Sequence, residues 1–374
     1  MALEQTSPLS FIDNFPVHIQ LRICSKGSEY EADLSAEWGM YHRFRIGLKP
    51  QDVEELNLEL QQAIEQVANS FGEPDTYNEA LSRLAHKGNF AFKRIFAEGI
   101  PRETVSKALQ LGATIQIPSE DFFIPWELLY DGPLGAHVDA SYFWGMRYIV
   151  SRALIQEARP GDIASPIIRS ECPHIGLIAD SELEHVVGKE IPALKSLHDQ
   201  KRISLLLLRP LKIDQRYDEL EYLGRFLREE ELEIVHLACH AREKKPKSQS
   251  YLLVSENFDI SIEDFGVQEF IIKHNPFVIL NACLTGTISP LYTSNWAALF
   301  WGRGARGVLA TELHVPDWFA AAFTEELYKH FLSGKPIGEA LLATRRYFWK
   351  KQQNPLGLAY ALYSSPSIRI VSSN

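Results

Sequence analysis

Apolar positions along this chain follow two rhythms. From Val17 to Cys24 apolar and polar residues alternate, the period of a strand with one solvated face. Gln51–Ser70 then sets Val53, Leu56, Leu60, Ile64 and Val67 three and four apart, and Thr76–Phe96 repeats the pattern with Leu81, Leu84, Phe90 and Ile95, so both stretches predict amphipathic helices. Pro101-Arg102-Glu103 opens a third helix, with proline in its first turn. Ala113–Ile117 is a short strand, and the aromatic cluster within Pro118–Leu129, closed by Asp131-Gly132-Pro133, is that of a packed core ending in a turn. Residues 1–14 carry little pattern and are expected to fray.

Between Glu157 and Pro173 the residues Pro160-Gly161, Pro166 and Pro173 interrupt any apolar period, which is linker composition. A boundary is therefore expected near residue 160, with a smaller α/β lobe over 1–160 and a second domain over 161–374. In that domain strand and helix alternate. Strands are predicted at Ile175–Ala179, Ile203–Leu208, Leu232–Ala238, Phe277–Ala282, Gly307–Thr311 and Ser367–Val371. Helices are predicted near Val187–Asp199, Tyr217–Glu230, Ile262–Lys273, Asn295–Trp301, Asp317–Leu332 and Ile337–Lys350, with one hairpin turning at Glu256-Asn257. Such alternation implies a doubly wound, mostly parallel sheet with helices on both faces.

Two of these strands end on reactive residues. Phe277–Gly286 is an apolar run closing on Asn-Ala-Cys, so Cys283 falls where the strand stops, and His240 directly follows the run Leu232–Cys239. In a parallel sheet the carboxyl ends of the strands face the crevice where ligands collect. Strands that neighbour one another lie about 4.8 Å apart, close enough for an imidazole and a thiol to share that crevice. A thiol near neutral pH needs such a base to become a nucleophile, and the turn after Cys283 supplies backbone N–H groups for an oxyanion. Either residue alone is more often a small or satisfied core group; it is the pair on adjacent strand ends that points to chemistry. Cys239, facing the other way, keeps a core role. Asp180 ends the first strand of the domain and Glu312 follows the strand after the cysteine, which sets two carboxylates at the mouth of a substrate pocket and favours Arg or Lys as the residue cleaved after. Asp180 also suits the capping of the next helix.

Composition narrows the classes. With 45% hydrophobic and 23% charged residues over 374 positions the chain is an ordinary globular protein, and 38 basic against 48 acidic residues, a net charge of −10, give no support to direct nucleic-acid binding. No run of about 18 apolar residues or basic leader predicts a membrane span or export, so a cytoplasmic location is expected. Four cysteines without a C-x-x-C pair imply neither a disulfide scaffold nor a metal site, and no cofactor is expected. The basic loop Arg242, Lys244, Lys245 and Lys247 reads as solvated, or as a flap that meets an acidic substrate segment.

His-Leu-Ala-Cys-His at 236–240 with Leu-Asn-Ala-Cys-Leu-Thr-Gly at 280–286 resembles the paired signature of CHAT domains, caspase-like proteases of the group that includes separase, gingipains and metacaspases. The resemblance continues through Ala297-Leu299-Phe300, Gly304–Ala310 and Phe331–Leu341, and more weakly through Phe123–Leu129 and Arg147–Arg152. It implies a caspase-like fold after a non-catalytic, pseudo-caspase-like or regulatory lobe. It also implies a Cys283/His240 dyad that cleaves a peptide bond through a thioester, with the N–H groups of Ala241 and Cys283 as the oxyanion hole. The family usually has glycine where Ala241 stands. The implied function is an intracellular cysteine endopeptidase acting on a protein or peptide substrate, as a regulated effector in bacterial defence that activates a pore-forming protein or another effector, with a regulatory protein as a further partner. The alternative is a catalytically silent module that binds a partner peptide.

Overall fold

The computed structural model describes residues 15–36, 39, 41–135, 138–154, 165–242, 250–268, 270–284 and 290–372, with backbone alone at Leu154, Cys283 and Leu284. The expected frayed start, the Pro160-Gly161 segment, most of the basic loop and the turn following Leu284 lie outside the described residues.

In the N-terminal lobe β1 (Ile19–Lys26), β2 (Glu29–Ala36) and β3 (Tyr41–Ile46) form an antiparallel meander. Helices α1 (Pro50–Asn69), α2 (Pro74–Ile95) and α3 (Ile100–Ala108) follow. Then β4 (Thr114–Ser119), the single turn α4 (Trp144–Arg147) and β5 (Ile149–Leu154) complete a sheet of order β3-β2-β1-β4-β5. Helix α1 buries the five residues whose spacing predicted it; on α2 Leu81, Leu84 and Ile95 are buried, whereas Phe90 faces solvent. The meander strands β2 and β3 are not visible in the apolar pattern. The inward side of β2 is Tyr30, Ala32, Leu34 and Ala36, half of it alanine, and β3 is an edge strand that buries only Ile46.

The second half opens with β6 (Ile167–Arg169), β7 (His174–Ala179), a five-residue π-turn at Val186–Glu190, α5 (Ile191–Asp199), β8 (Ser204–Leu207) and α6 (Arg216–Glu229). The strand β9 (Ile234–Arg242) leads into the hairpin β10 (Tyr251–Ser255) and β11 (Phe258–Ser261), then α7 (Ile262–Val267) and β12 (Phe277–Leu284). Last come α8 (Pro290–Gly302), β13 (Gly307–Thr311), α9 (Asp317–Phe331), α10 (Ile337–Gln352), β14 (Tyr360–Tyr363) and β15 (Arg369–Val371). Strands β8, β7, β9, β12 and β13 are mutually parallel, β14 closes the far edge antiparallel, and the hairpin lies against the end of β9.

Burial on both sides of β9 makes the sheet doubly wound. Ile234 and Ala238 pack with α5, α9 and α10, whereas Val235, Leu237, Cys239 and Ala241 pack with α6, α7 and α8. The strand expected at the end of the domain does not join this sheet. β15 pairs with β6 in a two-stranded ribbon, and the place at the edge belongs to β14, which the sequence pattern did not reveal.

The two halves are joined along β5 and β14. One apolar cluster runs from Ile19 on β1 to Ile370 on β15 without a break. At its polar centre Arg152 of β5 donates to Glu127 and to Glu312, both at 2.7 Å, and Arg345 of α10 reaches Glu127 at 3.3 Å and the Tyr360 carbonyl at 2.6 Å.

Candidate active site

The register of β9 and β12 runs unbroken from Ile234↔Phe277 to Ala241↔Leu284, and Cys283 stands across from His240 within it. The side chain of Cys283 lies outside the described residues; that of His240 is half-buried. The strand does not stop before the histidine, as the apolar run suggested. Hairpin strand β10 pairs Leu253 with His240 and Leu252 with Ala241, and this second partner carries β9 on to Arg242.

Backbone directions follow from two hydrogen bonds. The Ala238 carbonyl accepts from the Asp180 N–H at 2.8 Å, on the β7 side, and the Ala282 carbonyl accepts from Thr311 Oγ1 at 3.0 Å, on the β13 side. Peptide groups alternate sides along a strand, so the N–H of Ala241 faces β12 and that of Cys283 faces β9. Both expected oxyanion donors therefore look into the same seam. Ala241 is itself buried and paired on either flank, opposite Leu252 and Leu284.

Asp180 comes immediately after β7, and none of its surface is exposed. Its Oδ1 accepts from the Glu182 N–H at 3.0 Å, and its Oδ2 has no hydrogen-bond partner among the described residues. Burial pushes the carboxyl above its usual range, while the Glu182 N–H and the nearby His240 pull it back. The expectation that Asp180 lines an open pocket mouth is corrected by this burial: it is an interior carboxylate within electrostatic reach of the imidazole.

Glu312 is corrected more fully. It is buried at the junction of the two halves, with Arg152 on one carboxylate oxygen and the Tyr363 hydroxyl donating to the other. Both of its oxygens are engaged within the junction, so among the described residues Glu312 serves the contact between the halves and not an open pocket mouth.

Cys239 fulfils its core reading. It is buried on the α6–α8 side, and burial raises its thiol well above the usual value, so it offers no competing thiolate.

Beneath the strand ends lies a polar cluster that the sequence reasoning missed. Asn281 Nδ2 donates to Glu190 Oε1 at 2.8 Å and to Thr324 Oγ1 at 3.0 Å, and its Oδ1 accepts from the Tyr360 hydroxyl at 2.7 Å. His236 Nε2 lies 2.8 Å from Glu190 Oε1, and its Nδ1 is 3.0 Å from the Tyr328 hydroxyl. The signal was present: an Asn and a His inside otherwise apolar strands must find partners in the interior.

A mostly parallel, doubly wound sheet bearing His and Cys at matched positions of adjacent strands defines the caspase-like class of α/β proteins. Within that class the chain belongs to the CHAT domain family, whose sequence pattern matches residues 122–367. That match starts at Phe122, ahead of the boundary expected near residue 160. Two solved structures of the Saccharomyces cerevisiae separase–securin complex are similar in fold. One separase chain aligns with a TM-score of 0.53 and 11% identity over 94% of this chain and 30% of its own length. In the other the TM-score is 0.49 and the identity 10%, over 95% and 30%. The chain thus spans about 30% of the separase chain it resembles. No curated protein matches it. No helix among the described residues is long and apolar enough to cross a membrane.

Proposed function

We propose that the chain is a cysteine endopeptidase in which Cys283 attacks a substrate carbonyl and His240 moves the proton. The observation that carries this reading is the register that sets the two residues opposite each other at the carboxyl ends of parallel strands. His240 takes the thiol proton as sulfur bonds to the carbonyl carbon, and the N–H groups of Ala241 and Cys283 hold the oxyanion. Collapse expels the amine with the proton from His240 and leaves a thioester, which water, deprotonated by the same imidazole, hydrolyses. Asp180 acts through His240: a buried carboxylate with an unpartnered oxygen beside an imidazole can fix its orientation and stabilise its charged form.

The test is labelling by an irreversible thiol-directed peptide probe together with hydrolysis of a peptide library. Cys283→Ala and His240→Ala are expected to lose more than about 10³-fold in kcat/KM with unfolding midpoints unchanged, since nucleophile and base act as a unit. Asp180→Asn should lower kcat at least about tenfold and move the acid limb of the pH–rate profile, leaving KM near its original value. Near-normal turnover by either dyad variant refutes the assignment.

A second reading, a catalytically silent module that binds a partner peptide, is favoured by one feature, the pairing of Ala241 with Leu284 that keeps the seam closed as a sheet ladder. Absence of probe labelling in the wild-type chain, with or without candidate partners, would decide for it. The finer role, a regulated cytoplasmic effector of bacterial defence that activates a pore-forming protein or another effector under control of a protein partner, rests on the family likeness. The separase structures are of a protease chain held with another protein, securin, which fits control by a docked protein.

A further inference from the structure

Between α2 and α3 the N-terminal lobe holds a cleft of about 520 Å³, the size of a small-molecule site. Phe92 and Lys93 of α2 form one side, and Arg102 and Ser106, one turn apart on α3, form the other. Its floor is Asp131 with Arg147 and Tyr148 at the end of α4. Lys93 and Ser106 are exposed, and Arg102 and Arg147 are half-buried, so each of these side chains is open to a guest.

Charge in the cleft does not balance. Among its described lining residues Asp131 is the one carboxylate, and both of its oxygens are engaged, Oδ1 by Arg147 at 2.7 Å and Oδ2 by the Tyr148 hydroxyl at 3.1 Å. That pairing offsets Arg147 alone. Arg102 is held by two donations to the Phe96 carbonyl, from Nε at 3.1 Å and from Nη2 at 2.9 Å. A carbonyl fixes the guanidinium without compensating its charge, and Nη1 still carries two hydrogens to donate. Neither Arg102 nor Lys93 has a carboxylate partner among the described residues; Glu103, beside Arg102 on α3, pairs with Lys107 outside the cleft. Behind the floor Arg346 of α10 donates to the Met146 and Arg147 carbonyls, again with no carboxylate among the described residues. A chain of net charge −10 thus gathers uncompensated cations at one cleft.

We propose that this cleft binds an organic phosphate dianion, with phosphoryl oxygens on Arg102 and Lys93 and the carbon body against Phe92, Leu109 and Leu134. A guanidinium already held in place accepts an oxyanion with little further loss of freedom. The Lys93 ammonium supplies the second countercharge, and the Ser106 hydroxyl a neutral donor. A single negative charge leaves one of the two cations unmet, which is why a dianion is favoured over a monoanion. The head group is borne both by free organic phosphates and by a phosphorylated tyrosine. The site is independent of whether Cys283 is a nucleophile.

Titration of phenyl phosphate into the full chain, followed by calorimetry at constant ionic strength and pH 8, tests the proposal. Saturable one-site binding is expected, with phenyl sulfate, equal in shape but one charge poorer, at least threefold weaker and phenol at least tenfold weaker. Lys93→Gln should weaken phenyl phosphate at least fivefold, whereas Lys107→Gln, the same loss of charge on α3 outside the cleft, should change it less than twofold. Ser106→Glu, which sets a competing carboxylate beside Arg102 from an exposed position, should abolish binding while the urea midpoint stays at the wild-type value. Nα-acetyl-phosphotyrosine amide as a second probe separates the sources: tighter binding than phenyl phosphate assigns the guest to a modified polypeptide, weaker binding to a free organic phosphate. No saturable binding of either phosphate, equal binding of phenyl sulfate, or equal losses in Lys93→Gln and Lys107→Gln overturns the proposal.

Discussion

Glu312 and Glu127 show how one interior treats two carboxylates differently. Burial pushes Glu312 up to about 8, against the pull of Arg152 and with help from the charge of Glu127. Against the same burial, Arg152 and Arg345 hold Glu127 below its usual range. An unfolded glutamate titrates near 4.3, so the folded state keeps a proton on Glu312 that the unfolded chain has lost. Its stabilising contribution is full below about pH 4.3, falls as pH rises through 8, and is flat above. Urea midpoints should therefore decline between about pH 5 and 8, by a few kcal/mol in stability, and Glu312→Gln should flatten that decline. A slope that survives in the variant assigns the titration to other groups. The same burial explains why the sequence misplaced Glu312. A glutamate after a strand looks like a surface group, and only the arrival of Arg152 from 160 positions away makes it an interior one.

At the scale of elements, the runs with strong apolar period were legible almost to the residue. Gly307–Thr311 is β13 as predicted, and α9 and α10 begin where the pattern starts. Among the strands that escaped, β5 and β6 included, several have a burial decided by a partner: β2 with its alanines, the edge strand β3, and β14, which joins the sheet through a neighbour and not through a run of its own. The facing positions of His240 and Cys283 were readable because each residue closes an apolar run. The continuation of β9 past His240 was not, since it depends on β10. Glycines sort by the same criterion. Gly304 has φ +126°, and a Cβ there would stand 2.1 Å from the Ile272 carbonyl oxygen, at the joint between α8 and β13. Gly304→Ala should cost more than about 2 kcal/mol. Gly266 in α7 has no atom within 4 Å of its Cβ position, and Gly266→Ala should be neutral or stabilising by up to about 1 kcal/mol. Equal effects in urea unfolding would show that the joint yields.

Over the whole molecule the halves share one apolar cluster and one buried cluster of charged groups. Residues 161–374 produced alone would leave Glu312 and Arg345 without Arg152 and Glu127 and strip β5 from the flank of β14. Taking Glu127 from Arg345 breaks a buried ion pair from one side, which costs about 3–5 kcal/mol, and an uncovered sheet edge invites association. That fragment is expected to be insoluble or oligomeric in gel filtration, and co-expressed residues 1–160 should rescue it in part. A monomeric, cooperatively unfolding fragment would overturn this view of the junction. The wall between the halves also carries a timetable. The strand that meets β5 is β14, residues 360–363, and Arg345 joins the cluster only 15 residues earlier in the chain than its Tyr360 acceptor. During translation His240 and Cys283 therefore leave the ribosome long before their sheet has its edge strand or its polar centre. A nascent chain paused after Leu284 holds both His240 and Cys283 and no finished scaffold for them, so any chemistry they perform would come into being late, in one step, as residues 345–363 dock against a lobe made first.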